Sequence, residues 1–227
     1  MVVRQPDSAS RFPDPRQAPA DGPLAWGNDL RVATLLDAYH HGIFPWPVAD
    51  GTVYWWSPDP RAILPLDGLH VSRSLRRTLR TQQWRCTVDT AFTDVVRACA
   101  QERDTGTWIV PALADAYRRL HAAGAAHSVE VWAEQELIGG VFGVTVGAMF
   151  AGESMFHRRS DASKAALVCL VGHLRNRGFT LLDVQLPTPH LASLGAVEVP
   201  RSDFLRGLRH AVALPATFTS GDRRSAP

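Results

Sequence analysis

Apolar positions recur along this chain first at helical and later at strand spacing. Val32 to His40 is a short helix candidate closed by Gly42. Ser72 to Thr81 and Thr90 to Glu102 are two more, with Asp89 or Thr90 as the expected cap of the second. Pro111 to Ala123 begins on proline, ends at Gly124 and carries Leu113, Tyr117 and Leu120 as a stripe. Ser128 to Trp132 alternates as a strand, and a turn at Glu134-Gln135 leads into Leu137–Val144 and Ala148–Glu153. Ala162 to Arg177 is a long helix before Gly178, and Phe179 to Leu186 is a buried strand. His190–Leu194, Val197–Val199 and Ser202–Ala211 complete the order as helix, strand and helix. An antiparallel meander feeding a strand–helix–strand unit predicts an α+β fold with a mixed, mainly antiparallel sheet flanked by helices.

The first 23 residues break this pattern. Pro6, Pro13, Pro15, Pro19 and Pro23 with few large apolar neighbours predict a flexible arm. Residues 24–65 are rich in aromatic rings and broken by proline, as in Phe44-Pro45-Trp46-Pro47 and Trp55-Trp56-Ser57-Pro58-Asp59-Pro60-Arg61. Proline blocks long regular structure there, so a small aromatic N-terminal domain is expected. The main domain then covers 66–214, with a tail at 215–227.

Composition narrows the class. Hydrophobic residues make up 45% of the 227 positions and charged ones 20%, which excludes global disorder. No run approaches the ~20 apolar residues of a membrane span, and the start lacks the basic-then-apolar pattern of a signal peptide. Cys86, Cys99 and Cys169 lie far apart without a C-x-x-C, which argues against a disulfide framework or a zinc ribbon. A reduced, cytosolic protein is expected. Among 24 Lys plus Arg residues, Lys164 is the only lysine. Arginine therefore stands wherever either would serve, and Lys164 is either a chosen ammonium or a leftover surface residue.

Three constellations can carry chemistry. Between Gly68 and Val88 stand Arg73, Arg76, Arg77, Arg80 and Arg85 with no acid, and Arg73, Arg77 and Arg80 share one helical face. Such a face repels itself unless a polyanion, of which a nucleic-acid backbone is the usual one, neutralises it; the plain alternative is a solvated surface. A glycine-rich meander runs from Gly139 to Gly152 and ends in Glu153-Ser154-Met155-Phe156. Glycines weaken strands unless something must come close. Glu153, an acid in an apolar run, serves either a site or a structural ion pair. Finally, Asp183 and Gln185 are two apart in the apolar strand Leu181–Leu186, so both face one side. Buried there, they are either paired or serve a pocket. Asp183 would hold Gln185, and the Gln185 amide oxygen would meet a donor. His190, in the next loop, reads more readily as a structural hydrogen-bonder than as a base. No His/Cys/Asp set has metal spacing, and no phosphate loop or hydrolase elbow is present.

Together these segments resemble one family, the leucyl/phenylalanyl-tRNA–protein transferases. The matching pieces are Gly42–Trp46, Trp55–Arg61, Gly106-Thr107-Trp108-Ile109, Ala126–Trp132, Gly152–Phe156, Ala162–Leu167, and Asp183-x-Gln185 followed by His190–Ala196. The resemblance departs at Gly27-Asn28-Asp29-Leu30, where Gly-Gly-Asp-Leu is commoner, and over the first 20 residues. It implies a small N-terminal domain on a GNAT-like acyltransferase domain. The glycine-containing acyl-CoA loop usual before the long helix of that fold is replaced by His157–Ser163, as suits a donor that is not acyl-CoA. The implied partners are tRNA charged with Leu, Phe or Met, and proteins whose N-terminus is Arg or Lys. The implied product enters N-degron degradation in the bacterial cytoplasm, and no cofactor, ATP or metal is needed. The resemblance implies Asp183, Gln185 and Glu153 at the centre, with Gln185 on the attacking amine. It also implies a donor side-chain pocket of Val141, Phe150, Leu170, Leu174 and Leu182. Leucines at 170 and 174 stand where aromatic residues occur in relatives. Trp46 and Trp108 are expected on the terminal adenosine, with core packing as the equal alternative for Trp46. Arg73, Arg76, Arg77 and Arg80 are expected on tRNA phosphates. An acyl-CoA-dependent N-acetyltransferase and a non-catalytic RNA-binding module are the competing readings.

Overall fold

The elements follow the residues that build them. A computed structural model describes residues 10–47, 52–101 and 108–219. The strands and helices are β1 (Pro23–Trp26), α1 (Val32–His40), β2 (Phe44–Pro47), β3 (Val53–Trp56), β4 (Arg61–Ile63), α2 (Arg73–Thr81), β5 (Arg85–Val88), α3 (Phe92–Gln101) and α4 (Pro111–Ala122). They continue with β6 (Ala126–Ala133), β7 (Glu136–Val146), β8 (Met149–His157), α5 (Ala162–Asn176), β9 (Leu181–Gln185), α6 (Pro189–Ser193), β10 (Val197–Val199) and α7 (Arg201–Ala213).

The larger sheet has the order β10-β4-β9-β8-β7-β6-β5. Its pairs are antiparallel except β8–β9, which are joined in parallel through α5. The fold is thus mixed α+β, as the order of predicted elements implied. Alternate strand residues enter two apolar layers. Val129, Val131, Val141, Phe150 and Leu182 pack with α5 and with Leu75 of α2. Phe142, Val144, Met149 and Ala151 face α1, α3, α4 and α7. Burial on both sides explains why β7 is apolar or glycine over most of its length rather than alternating.

The proline-broken aromatic stretch forms a second, antiparallel sheet, β1-β3-β2. Its prolines explain how: Pro23, Pro45 and Pro47 lie in the edge strands, and the central Val53–Trp56 has none. Tyr39, Phe44 and Trp55 share an apolar cluster with α3 and α4. Residues 10–22 of the proline-rich segment also carry contacts to the body. Phe12 packs on Trp55, and Arg201 donates to the Ala18 and Pro19 carbonyls. Near the other end, Phe218 is buried beside Phe150, and His173 bonds its carbonyl.

Three expectations are corrected. Cys86 on β5 and Cys169 on α5 form a disulfide with Cα atoms 6.7 Å apart. Their 83-residue separation hid this, because an edge strand and a helix meet only in the folded sheet. The start of α3 is held by neither Asp89 nor Thr90. Glu130 of β6 accepts the Thr90 and Ala91 N–H groups along with the Thr87, Thr90 and Ser128 hydroxyls. Asp89, at φ 54°, instead accepts from Ser128 N and pairs with His127. That turn brings Asp89, His121 and His127 within 4.8 Å of one another, a grouping the sequence spacing did not display. His121 Nδ1 bonds the Ala126 carbonyl, and His127 Nδ1 bonds the Asp89 carboxylate.

Candidate active site

The sheet opens where two strands part. The β8–β9 ladder pairs Met149 with Leu181, Phe150 with Leu182 and Ala151 with Asp183, and ends there. Gly152, Glu153, Val184 and Gln185, just beyond, line a cavity of about 390 Å³. Val141 and Leu182 add apolar wall from the sheet, Leu167 and Leu170 from α5, and Leu186, Thr188, His190 and Leu191 from the following turn. Trp46 and Trp108 close one side, stacked on each other with centroids 5.2 Å apart and planes 13° apart. A mostly apolar hollow with a few converging polar groups is the form of a small-ligand site.

Glu153 reaches this hollow through a bulge. Phe142 pairs with Ser154 and Gly143 with Gly152, so Glu153 is the extra residue of β8. A bulge of this kind re-aims a side chain. Position 143 must be glycine, because a Cβ there would lie 2.2 Å from the Ala151 carbonyl oxygen. The buried Glu153 carboxylate accepts from three donors. Tyr39 Oη lies 2.8 Å and Gln185 Nε2 2.8 Å from Oε1, and Tyr117 Oη lies 2.5 Å from Oε2. Burial pushes the Glu153 carboxyl up to about 7 against the pull of these three hydrogen bonds. Burial, reinforced by the Glu153 charge, also raises both tyrosine hydroxyls well above their ordinary value, so both stay donors.

Gln185 closes the group. While Glu153 is ionised it cannot donate, so the amide turns Nε2 toward it, which leaves Oε1 as an acceptor for a donor in the cavity. The Gln185 main chain adopts φ 66°, a left-handed conformation that a side-chain-bearing residue seldom holds unaided. Its N–H donates to Asp183 Oδ1 at 2.9 Å. Asp183 is itself buried and paired with Arg61, Nε to Oδ1 at 2.9 Å and Nη2 to Oδ2 at 2.7 Å.

The expected residues therefore divide. Glu153, Gln185, Val141, Leu170, Leu182, Trp46 and Trp108 surround one cavity. Asp183 stands behind that wall and holds the Gln185 backbone, whereas Glu153 holds the side-chain amide. Phe150 and Leu174 are fully buried in the layer behind the cavity. Gly106 and Thr107 lie outside the described residues. Arg73, Arg76, Arg77 and Arg80 are exposed on α2, which seats Leu75 inward. Among the described residues none of the four makes an ion pair, though Arg76 donates to the Val71 carbonyl. Burial, chiefly, lowers the affinity of His190 for a proton, with Lys164 and His157 adding to it. Tyr39, Tyr117 and Arg61 received no role from sequence reasoning. Tyr117 fell on an apolar stripe and is a core residue, and its hydroxyl is what reaches Glu153.

The chain is similar in sequence to one family of proteins. The profile of the leucyl/phenylalanyl-tRNA protein transferase family matches residues 63–209, and that of its N-terminal domain matches 28–59. A leucyl/phenylalanyl-tRNA–protein transferase of Shewanella baltica (strain OS185) is 51% identical over 216 residues, 92% of this chain and 91% of that one. The protein of that name from Desulfatibacillum aliphaticivorans is 53% identical over 95% of this chain and 94% of its own. A solved structure of L-PGS from Bacillus licheniformis aligns over 59% of this chain and 48% of that one, at 12% identity and a TM-score of 0.41. With relatives this similar over nearly its whole length, the chain belongs to the leucyl/phenylalanyl-tRNA–protein transferase family.

Proposed function

We propose that this enzyme transfers Leu or Phe, and Met less well, from charged tRNA to the α-amine of proteins that begin with Arg or Lys. The product would enter N-degron degradation in the cytoplasm, and the catalytic domain would be GNAT-like with a small aromatic domain before it. The observation that carries the reading is the Gln185 amide in the wall of an apolar cavity, fixed by Glu153 through Nε2, which leaves Oε1 to accept from a ligand there.

The chemistry asks for alignment more than activation. The aminoacyl ester is already activated. An N-terminal amine has a pKa near 8, so an appreciable fraction of it is neutral at neutral pH. The amine nitrogen attacks the ester carbonyl carbon, the carbon–oxygen bond to the terminal ribose breaks, and the amine's proton leaves as the ribose hydroxyl forms. Gln185 Oε1 accepts a hydrogen bond from the attacking amine and points its lone pair at the carbonyl. Holding two reactants in such geometry supplies much of a rate enhancement. Val141, Leu170 and Leu182 receive the donor side chain, Trp46 and Trp108 the terminal adenosine, and the α2 arginines the tRNA backbone.

The test offers leucine-labelled tRNA and, separately, labelled acetyl-CoA to the enzyme with a peptide beginning in Arg. Label reaching the peptide from tRNA alone supports the reading. Label from acetyl-CoA, or from neither, rejects it.

A further inference from the structure

Arg61 is only 1% exposed. A buried guanidinium is costly unless its donors are met, and here all three nitrogens have acceptors. Nε and Nη2 grip the two oxygens of Asp183, and Nη1 lies 3.1 Å from the Gly42 carbonyl. Phe44 and Phe204 cover its two faces, with ring centroids 4.7 and 4.5 Å from Cζ. Asp183, gripped this way, gives Oδ1 to the Gln185 N–H and does not line the cavity.

We propose that Arg61 is a positioning residue for the transfer: it locks Asp183 where that carboxylate holds the Gln185 main chain in its left-handed turn, and so sets the amide against Glu153 and the cavity. Asp183 then acts as a clamp and carries no proton in the reaction. Lysine would not replace Arg61. One ammonium cannot span both Asp183 oxygens and the Gly42 carbonyl in a plane, nor fill the slot between two rings. The inference rests on the reading that Gln185 meets the acceptor amine.

The full-length enzyme is assayed as Arg61→Lys, Asp183→Asn, Asp183→Ala, Phe204→Leu and Gln185→Ala, with each fold checked by thermal melting. Arg61→Lys should lower kcat roughly ten- to a hundredfold and leave KM for leucyl-tRNA within about twofold. Asp183→Asn keeps an acceptor for the Gln185 N–H. It should retain about tenfold more kcat than Asp183→Ala, with the wild-type inflection in its pH profile. Wild-type kcat in folded Arg61→Lys overturns the inference. So does a folded Asp183→Asn that is as inactive as Asp183→Ala or has lost that inflection. If Arg61→Lys does not fold, Phe204→Leu, which uncovers one face and keeps every charge, should show a smaller fall of about threefold or more in kcat alone; unchanged kcat there also overturns it. Full activity in Gln185→Ala instead removes the reading of Gln185 itself. An inactive Gln185→Ala beside an unimpaired Arg61→Lys removes this inference only.

Discussion

Glu153 Oε1 lies 2.8 Å from Gln185 Nε2, and that one contact decides which end of the amide faces the cavity. The two residues come from strands that have just parted, one aimed by a bulge and the other by a left-handed turn. An acceptor-only carboxylate selects a single orientation of the amide. A protonated one, able to donate, would permit the reverse. The state of Glu153 therefore governs whether Gln185 offers an oxygen or a nitrogen to the cavity.

The first prediction concerns pH. Glu153 sits near 7 in the folded chain against an ordinary value of 4.5. Between these values the unfolded chain has lost a proton that the folded chain keeps, so stability declines as pH rises from about 4.5 to about 7. The gap is worth about 3 kcal/mol at this group. Glu153→Gln should abolish that decline in urea melts and remove the rise of kcat near pH 7. A wild-type pH profile in the variant would show that ionisation of Glu153 does not control the amide.

Tyr117→Phe deletes one donor from the same carboxylate. The Tyr117 hydrogen bond lowers the Glu153 carboxyl, so the acid limb of kcat should move to higher pH. Loss of a hydrogen bond to a buried charge should cost about 1.5–3 kcal/mol of stability. Thermal melts and pH–rate profiles of Tyr117→Phe and Tyr39→Phe check both effects, and an unmoved acid limb in each counts against the network.

Much of this was legible from sequence, and the losses have physical causes. Helices such as Val32–His40 and Pro111–Ala122 carry their own stop and start residues, so local chemistry sufficed. Asp183 and Gln185 stood out as polar residues in an apolar strand. Which of them faces the cavity depended on the φ 66° turn at Gln185, which strict strand alternation does not anticipate. Tyr39, Tyr117 and Arg61 meet their partners 114, 36 and 122 residues away, a pairing that no spacing rule reaches. The small sheet β1-β3-β2 was not legible for a similar reason: proline keeps to edge strands, and its neighbours alone do not reveal which strand is central.

The proposed donor pocket separates wall from backing. Leu170 faces the cavity and Leu174, one turn on, does not. Each Leu→Ala change should destabilise the fold by about 2–5 kcal/mol. Only Leu170→Ala should also alter donor choice, raising the preference for Phe over Leu by roughly tenfold, the effect of one or two lost methylene contacts. Competition between leucyl- and phenylalanyl-tRNA checks this, and equal ratios in the two variants would place the donor side chain elsewhere.

The Cys86–Cys169 bond ties an edge strand to the helix that supplies Leu167 and Leu170. Closing so long a loop typically adds about 2–4 kcal/mol. Reduction, or Cys86→Ser, should therefore lower Tm by roughly 5–15 °C. Alkylation of the denatured chain should tag one thiol before reduction and all 3 cysteines after it; three tags without reductant would show the bond unformed.

The arginine face gives the last prediction. Arg73, Arg77 and Arg80 project from α2 without acidic partners among the described residues, and Leu75 seats the helix from its other side. Their removal should therefore spare the fold, and even relieve like-charge repulsion by a few tenths of a kcal/mol. If they meet phosphates, changing all three to Ala should raise KM for tRNA and leave kcat near wild type. The sharper readout is salt. Each lost phosphate contact flattens the slope of log affinity against log salt by about 0.7–0.9, so the triple variant should be flatter by roughly 2–3. Contacts to phosphate carry no base information, and the loss should be equal for leucyl- and phenylalanyl-tRNA. A slope that stays at the wild-type value would mean that the tRNA backbone passes over another surface.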